Sequence, residues 1–383
     1  MPAASTRLWF LDWLRIAAFA LLVPYHVGMY YVSWGWHVKS PHAGPAIEPL
    51  LQLTGPWRLD LLFLVSGAAT AFMLRRRVST GSFLQLRARR LLLPLLFGVF
   101  VIVPPQSFFE VVQKYGYAGS LLDFMGLYVT GYHGFCAPGG RPCLILPTWN
   151  HLWFLPYLFL YTAVLCALLA WRGDLLDRAG AMLERRANGA WLFVLPIVWL
   201  ALTRGLLRPI FPITHALVDD LFTHVQHGSM FVLGAALARA PAVWARFDAA
   251  RWPALVLAFV AWAVRVGLDV PYGYSTQQWC AIVAALGFAH RHLDVDRPIR
   301  HELTLAVFPV YILHQTIIVL LTQAFARSGL APIVEGPLLI VLTFGLCAAG
   351  YVLVRRIGWL RPWFGLPRRP APPPAPAAQG AGP

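Results

Sequence analysis

Arg15 and His26 stand eleven residues apart in the first apolar stretch of the chain, with Asp12 shortly before Arg15. At about 100° per residue the two side chains project within roughly 20° of each other, separated by roughly 16 Å along a helix axis, and Asp12 falls on the same face. An ionisable group inside a membrane helix costs at least ~2.5 to 3.5 kcal/mol on insertion scales, so each one needs a reason. Chemistry supplies one. An imidazole ionises near neutrality, which suits a general base that takes the proton of an attacking hydroxyl, and guanidinium groups hold phosphate oxygens bidentately. A structural reading stands beside it: Asp12 and Arg15 can pair at i, i+3, Arg15 can reach back to water, and His26 can hydrogen-bond a carbonyl.

Other polar residues in apolar surroundings extend the pattern. Arg87 and Arg90 lie one turn apart on the helix leading into a third span, where they either anchor the topology or join Arg15 against an anion. His151, His224 and His227 come to the same side as His26, and Tyr311 and His314 lie one turn apart near the middle of a late span. Each of these histidines can also be a hydrogen-bonded packing residue. Trp153 is one of 16 tryptophans, so an interface or packing role competes with a place in a substrate path. Ser66-Gly67 reads either as an acyl-carrying hydroxyl or as a small-residue helix contact.

Composition decides what must hold these residues in place. The 383 residues are 58% hydrophobic and only 12% charged, against about 25% charged in a soluble domain, which predicts an all-α polytopic membrane protein. Ten apolar stretches of spanning length centre on Phe19, Ala68, Phe97, Tyr161, Val198, Met230, Phe259, Ile282, Leu313 and Phe344. Prolines inside several of them are read as kinks. With both termini inside, 22 of the 31 Lys and Arg residues fall on the cytoplasmic side and eight on the other, as the positive-inside rule asks. The net charge of +15 therefore marks topology, because the basic residues lie between apolar runs, and nucleic acid is not expected as a partner. Asp12 and Arg15 interrupt the first span, so it is not read as a cleaved signal peptide. Residues 1–360 read as one membrane domain. Residues 361–383, with eight prolines, read as a disordered Pro/Ala-rich cytoplasmic tail. Cys136 and Cys143 share a loop between spans three and four and are a candidate disulfide if that loop faces an oxidising compartment. His133 beside them falls short of a four-ligand metal set, and no metal site is expected.

Taken together, these segments resemble the integral membrane acyltransferase family, often called acyltransferase-3. The resemblance spans residues 7 to 356 and rests on Arg15 and His26 at their ten-residue gap, a Phe-bearing Ser66-Gly67 run, and Arg87 and Arg90 ahead of Pro94. It continues with His151-Leu-Trp153 at the start of span four and Tyr311-Ile-Leu-His314 in a late span. The resemblance implies transfer of an acyl group, of acetyl or succinyl class, from cytoplasmic acyl-CoA to a hydroxyl of an envelope or periplasmic glycan at an inner (plasma) membrane. Acyl-CoA enters as donor substrate and no bound cofactor is implied. Carried over residue by residue, it makes His26 the catalytic base, with Arg15 beside it, and Arg87 and Arg90 the donor-binding cations. Trp153, His151, Tyr311 and His314 become substrate-binding residues. The glutamate that the sugar-antigen branch carries after His-Leu-Trp is missing here, and the fragments look more similar to the glucans biosynthesis protein C branch. Two rivals remain open. A transporter or flippase of an envelope precursor would also line a path with polar side chains, although paired broken helices in two halves are not seen. The membrane-bound O-acyltransferase fold would instead place its catalytic histidine in a late span, at His314.

Overall fold

The computed structural model describes residues 8–74, 79–137 and 143–368. Among these residues the chain is helical throughout, apart from one isolated bridge between Cys136 and Cys143, which are joined as a disulfide. The first span, Trp9–Tyr31, is two helices, α1 (Trp9–Ala20) and α2 (Leu22–Tyr31). Pro24 has no amide to offer the Ala20 carbonyl, and the helix breaks there at Leu21. A short α3 (Glu48–Thr54) leads into α4 (Arg58–Leu74). Next come α5 (Thr80–Phe97), a π turn at Gly98–Ile102 and α6 (Pro104–Tyr115), bent by 42° at a pair of prolines. After α7 (Leu121–Thr130), a 3-10 turn at Asn150–Trp153 opens α8 (Phe154–Trp171). The second half holds α9 (Leu175–Arg186), α10 (Trp191–Leu206), α11 (Leu221–Leu237), α12 (Pro241–Gly267), α13 (Tyr274–His292), α14 (Pro298–Phe325) and α15 (Pro332–Arg356).

All ten expected centres fall in this helical array, but the number of spans differs. Among the described residues six helices are long and apolar enough to cross a membrane, and eight if each bent pair, α5 with α6 and α9 with α10, is one span. The two expected spans outside that count are α11 and α13. Both lie inside the bundle: α11 buries Gln226, His227, Gly234 and Ala235 against its neighbours, and α13 buries Gln277, Gln278 and Trp279. A helix enclosed by protein faces little lipid, so its residues need not be apolar. By contrast, only 17% of the α12 window is buried, and Val256, Phe259 and Val260 face outward.

Small residues set the closest crossings. A Cβ on Gly67 would overlap the Phe231 carbonyl, and one on Gly234 would overlap the Leu64 carbonyl, so α4 and α11 meet backbone to backbone. Ser66-Gly67 is thereby a helix contact, as small-residue packing in membranes requires. Two polar pairs join the first span to α14: Arg300 Nη1 to Asp12 Oδ2 at 2.6 Å, and His26 Nδ1 to His314 Nε2 at 2.9 Å.

The first residues assigned to the tail, 361–368, are docked on the helical array. Arg361–Phe364 forms a 3-10 turn, Phe364 and Leu366 are buried, and the Phe364 ring packs edge-on to Phe97 at 5.3 Å. Two apolar side chains are enough to dock this segment against α5. The rest of the expected tail, 369–383, and the basic residues Arg7, Arg75, Arg76, Arg77 and Arg141 lie outside the described residues.

Candidate active site

His26, half-buried on α2, is held by a two-step hydrogen-bond chain. The His314 Nδ1 atom lies 2.7 Å from the Tyr311 carbonyl oxygen, which can only accept, so Nδ1 carries the proton. With both rings neutral, His314 Nε2 is left as an acceptor, and His26 Nδ1 donates to it at 2.9 Å. The lone pair of His26 then resides on Nε2. His314 is 1% exposed, and its ring stacks near-parallel on His26 with centroids 5.1 Å apart. This buried partner plays the part that a carboxylate or carbonyl plays behind other basic imidazoles: it sets the tautomer and the ring orientation.

His26 opens onto a cavity of about 480 Å³. Trp36 lies parallel to the His26 ring at 6.5 Å, and Trp149 and Trp153 line the wall. Polar groups interleave with these faces. Glu110 Oε2 accepts from His37 Nδ1 at 2.5 Å and its Oε1 from Lys114 Nζ at 2.6 Å. Asn150 and Gln315 also reach the cavity, and both donate to the buried Gln106 Oε1, at 3.1 and 3.0 Å. Apolar walls with a few convergent polar groups are the ordinary composition of a small-molecule site. A second cavity, of about 330 Å³ between α9, α10 and α11, is lined by side chains such as Leu183, Trp191 and Leu233, with Arg186 as its only charged group. It has no group that could move a proton at neutral pH.

The expected site residues divide into two sets. His26, His151 and Trp153 line the cavity, with His314 directly behind His26. His151 and Tyr311, however, engage their polar atoms with each other's surroundings. Tyr311 donates its hydroxyl to the His151 carbonyl at 2.6 Å, and His151 Nε2 donates to the Ile312 carbonyl at 3.1 Å. Gln106 approaches the remaining His151 nitrogen at 3.4 Å. These two residues hold the 3-10 turn against α14 and support the site. Arg15, Arg87 and Arg90 form the second set, toward the other end of the bundle. Arg15 pairs loosely with Asp12 at 3.8 Å, Arg87 donates to Thr70 Oγ1 at 3.3 Å, and Arg87 lies within electrostatic range of both other guanidiniums. Asp12 has a stronger partner in Arg300, so its main task is to tie α1 to α14.

Between the two sets the stripe is filled. Phe19, four residues past Arg15, is buried and meets Tyr311 edge-on at 5.2 Å and Phe154 at 6.1 Å. The spacing of Arg15 and His26 describes one helix face, but it does not reveal that α8 and α14 place aromatic rings against its midpoint.

Several residues in or behind the cavity escaped the sequence reading. Trp36 and His37 sit in a loop, and Glu110, which lines the cavity, and Gln106, which backs it, belong to α6, whose buried positions are Pro104, Gln106, Ser107, Glu110 and Val111 while Val112 and Gln113 are exposed. A helix that turns its polar residues inward was the available signal. Deep beside the cavity, Asp60 accepts from His227, Gln226 and Gln278, joining α4, α11 and α13. His224 bonds the Tyr161 hydroxyl and the Leu217 carbonyl, at 3.2 and 2.5 Å, and is a packing residue. His215, in the loop before α11, stacks on Trp153 at 4.0 Å. Burial pushes His215 down to about 4 against the pull of Asp220, so its ring is neutral at pH 7.

The family described as Acyltransferase domain matches residues 8–352. Glucans biosynthesis protein C of a strain of Escherichia coli is 26% identical over 323 residues, covering 76% of this chain and 77% of that protein. The protein of the same name from Salmonella schwarzengrund is 24% identical over 296 residues, covering 74% and 73%. No solved structure matches the chain.

Proposed function

The chain belongs to this acyltransferase family, and on that premise we propose that it moves an acetyl- or succinyl-class acyl group from cytoplasmic acyl-CoA to a hydroxyl of an envelope or periplasmic glycan, at the inner membrane. The observation that carries the proposal is the chain from the Tyr311 carbonyl through His314 to His26, which leaves a basic nitrogen at the edge of a cavity of about 480 Å³.

In this reading the acceptor hydroxyl lies against His26 Nε2. As its oxygen attacks the thioester carbonyl, the proton passes to that nitrogen, the tetrahedral centre collapses, and the thiol of the donor leaves with the proton returned from His26. His314 stabilises the transient imidazolium through the same hydrogen bond. Trp36 and Trp149 offer flat faces to a sugar ring, while Glu110, Lys114 and Asn150 offer partners for its hydroxyls. Arg15, Arg87 and Arg90 meet the donor's diphosphate at the opposite end, and the donor's arm reaches His26 only where the Phe19, Phe154 and Tyr311 rings part to let it through. Direct transfer to the acceptor is the simpler route, with Ser66 set in the segment that Gly67 seats against α11.

Purified protein in lipid, incubated with labelled acyl-CoA and a glucan, tests this. His26→Ala is expected to remove acylation while the protein still inserts and binds donor. Turnover that survives the substitution overturns the proposal, and movement of an unmodified glycan across the bilayer without acylation would mean a transporter instead.

A further inference from the structure

At the His26 end of the bundle, where the charge pattern calls for few basic residues, four arginines collect in one place. Arg58, the first residue of α4, is 5% exposed, and its Nε and Nη1 atoms make no hydrogen bond. Its guanidinium rests on the Tyr25 ring, 3.2 Å from the centroid, immediately next to His26 in the chain. Around the Tyr274 ring, Arg204 sits 3.4 Å and Arg265 5.4 Å from the centroid, with Arg58 and Arg208 in electrostatic range of members of this group. Arg204 Nε is likewise buried without a partner, whereas Arg265 donates to Gln277 Oε1 at 3.1 Å and to the Gln52 carbonyl at 3.2 Å.

Three physical rules oppose this arrangement if nothing binds there. A buried guanidinium with unsatisfied nitrogens is unfavourable, because its charge has left water without a full set of acceptors. A cation at a helix N-terminus meets the positive end of the macrodipole, yet Arg58 opens α4 and the cluster surrounds Tyr274, which opens α13. Among the described residues none of the four arginines forms an ion pair with a carboxylate. Asp60 lies within electrostatic range of Arg204, and its oxygens are already engaged by His227, Gln226 and Gln278. An anion would reverse all three penalties, since helix N-termini and guanidiniums both favour it.

We propose that Arg58, Arg204 and Arg265, converging on Tyr25 and Tyr274 beside His26, form an oxyanion subsite that receives a carboxylate or phosphate carried by the acyl group or by the acceptor. The assignment of the bound group to those two substrates rests on the acyltransferase reading; the binding of an oxyanion does not. Arg204 and Arg265 are half-buried, and Arg58 is buried.

The full-length protein in lipid is titrated with succinate and with inorganic phosphate, reading the unfolding midpoint and calorimetric heat. Saturable binding of either is expected, weakened at least tenfold in Arg204→Gln and Arg265→Gln and unchanged in Arg327→Gln, an exposed arginine elsewhere. Preference for succinate places the oxyanion on an acyl group, and preference for phosphate places it on the acceptor. Arg58→Gln is expected to abolish binding, but the two half-buried variants carry the test if it does not fold. Absence of binding with both anions, or binding that survives both variants, overturns the subsite. Because binding is read without turnover, a protein that binds but does not transfer sinks only the acyltransferase mechanism, and one that transfers but does not bind sinks only the subsite.

Discussion

His26 Nδ1 and His314 Nε2 meet at 2.9 Å across 288 residues of chain. Asp12 and Arg300 are joined across the same separation of 288 residues. The first span and α14 therefore run parallel in register over the fourteen residues between the two pairs, roughly 21 Å. The proposed base and the residue behind it sit on two spans fastened at both ends, which is what a fixed tautomer and ring angle require.

The His314 side chain is expected to act through His26. His314→Ala should lower kcat by about one to two orders of magnitude, a part of the roughly 10²- to 10⁴-fold that a general base supplies, with KM for both substrates nearly unchanged. His314→Gln, whose carbonyl oxygen can accept from His26 Nδ1, should recover part of that loss. Steady-state kinetics of the three proteins decide it, and a His314→Ala defect larger than that of His26→Ala would make His314 the base.

Trp36 faces the His26 ring at 6.5 Å across the cavity mouth. Its replacement by alanine removes a flat apolar surface of the kind aromatic rings supply. KM for the acceptor should rise about tenfold while KM for the donor stays constant. A change confined to the donor would place the acceptor elsewhere.

At the opposite end, Arg87 is half-buried and engaged with Thr70, whereas Arg90 is exposed. Arg87→Gln should therefore raise KM for acyl-CoA more than Arg90→Gln does, since a screened surface charge contributes little. Donor binding by both variants, measured with a non-transferable analogue, provides the comparison.

Gly67 has the Phe231 carbonyl where its side chain would be. Gly67→Val forces α4 and α11 apart, and overpacking of this kind costs about 1 to 3 kcal/mol or more. The variant should unfold at lower temperature or fail to accumulate. A stable, active Gly67→Val protein would contradict the α4–α11 contact.

His215 titrates at about 4 in the folded protein, below its ordinary 6.5. Between those values the unfolded chain binds more protons than the folded one, so this contribution is complete above about 6.5 and is lost as pH falls toward 4. The unfolding midpoint of the native protein should fall across that window, and His215→Gln should fall less steeply. Equal slopes would remove His215 from the account.

Much of the site could be read from single segments. Arg15, His26 and His314 announce themselves because each is an ionisable group in an apolar run, and the cost of placing it there is a property of the segment itself. Trp36, His37 and Arg58 did not announce themselves in this way. The first two are in a loop of ordinary polarity, and Arg58 lies at a span end where an arginine commonly serves as an anchor. Membership of a helix was equally plain for α11 and α13, but their Gln226, His227, Gln277 and Gln278 make sense only once they are seen to be enclosed.

The order of its motifs carried the resemblance to an acyltransferase family, while composition and spacing determined that this is a membrane-embedded helical protein and that its first span carries both a cation and an imidazole. These follow from the one-dimensional cost of transferring each residue out of water. Tertiary structure decided which His26 nitrogen is basic, which tryptophans face it, and that Phe19, Phe154 and Tyr311 pack between the two charged ends. Those depend on contacts between helices hundreds of residues apart, set by close crossings such as Gly67 on Phe231 that no local periodicity contains.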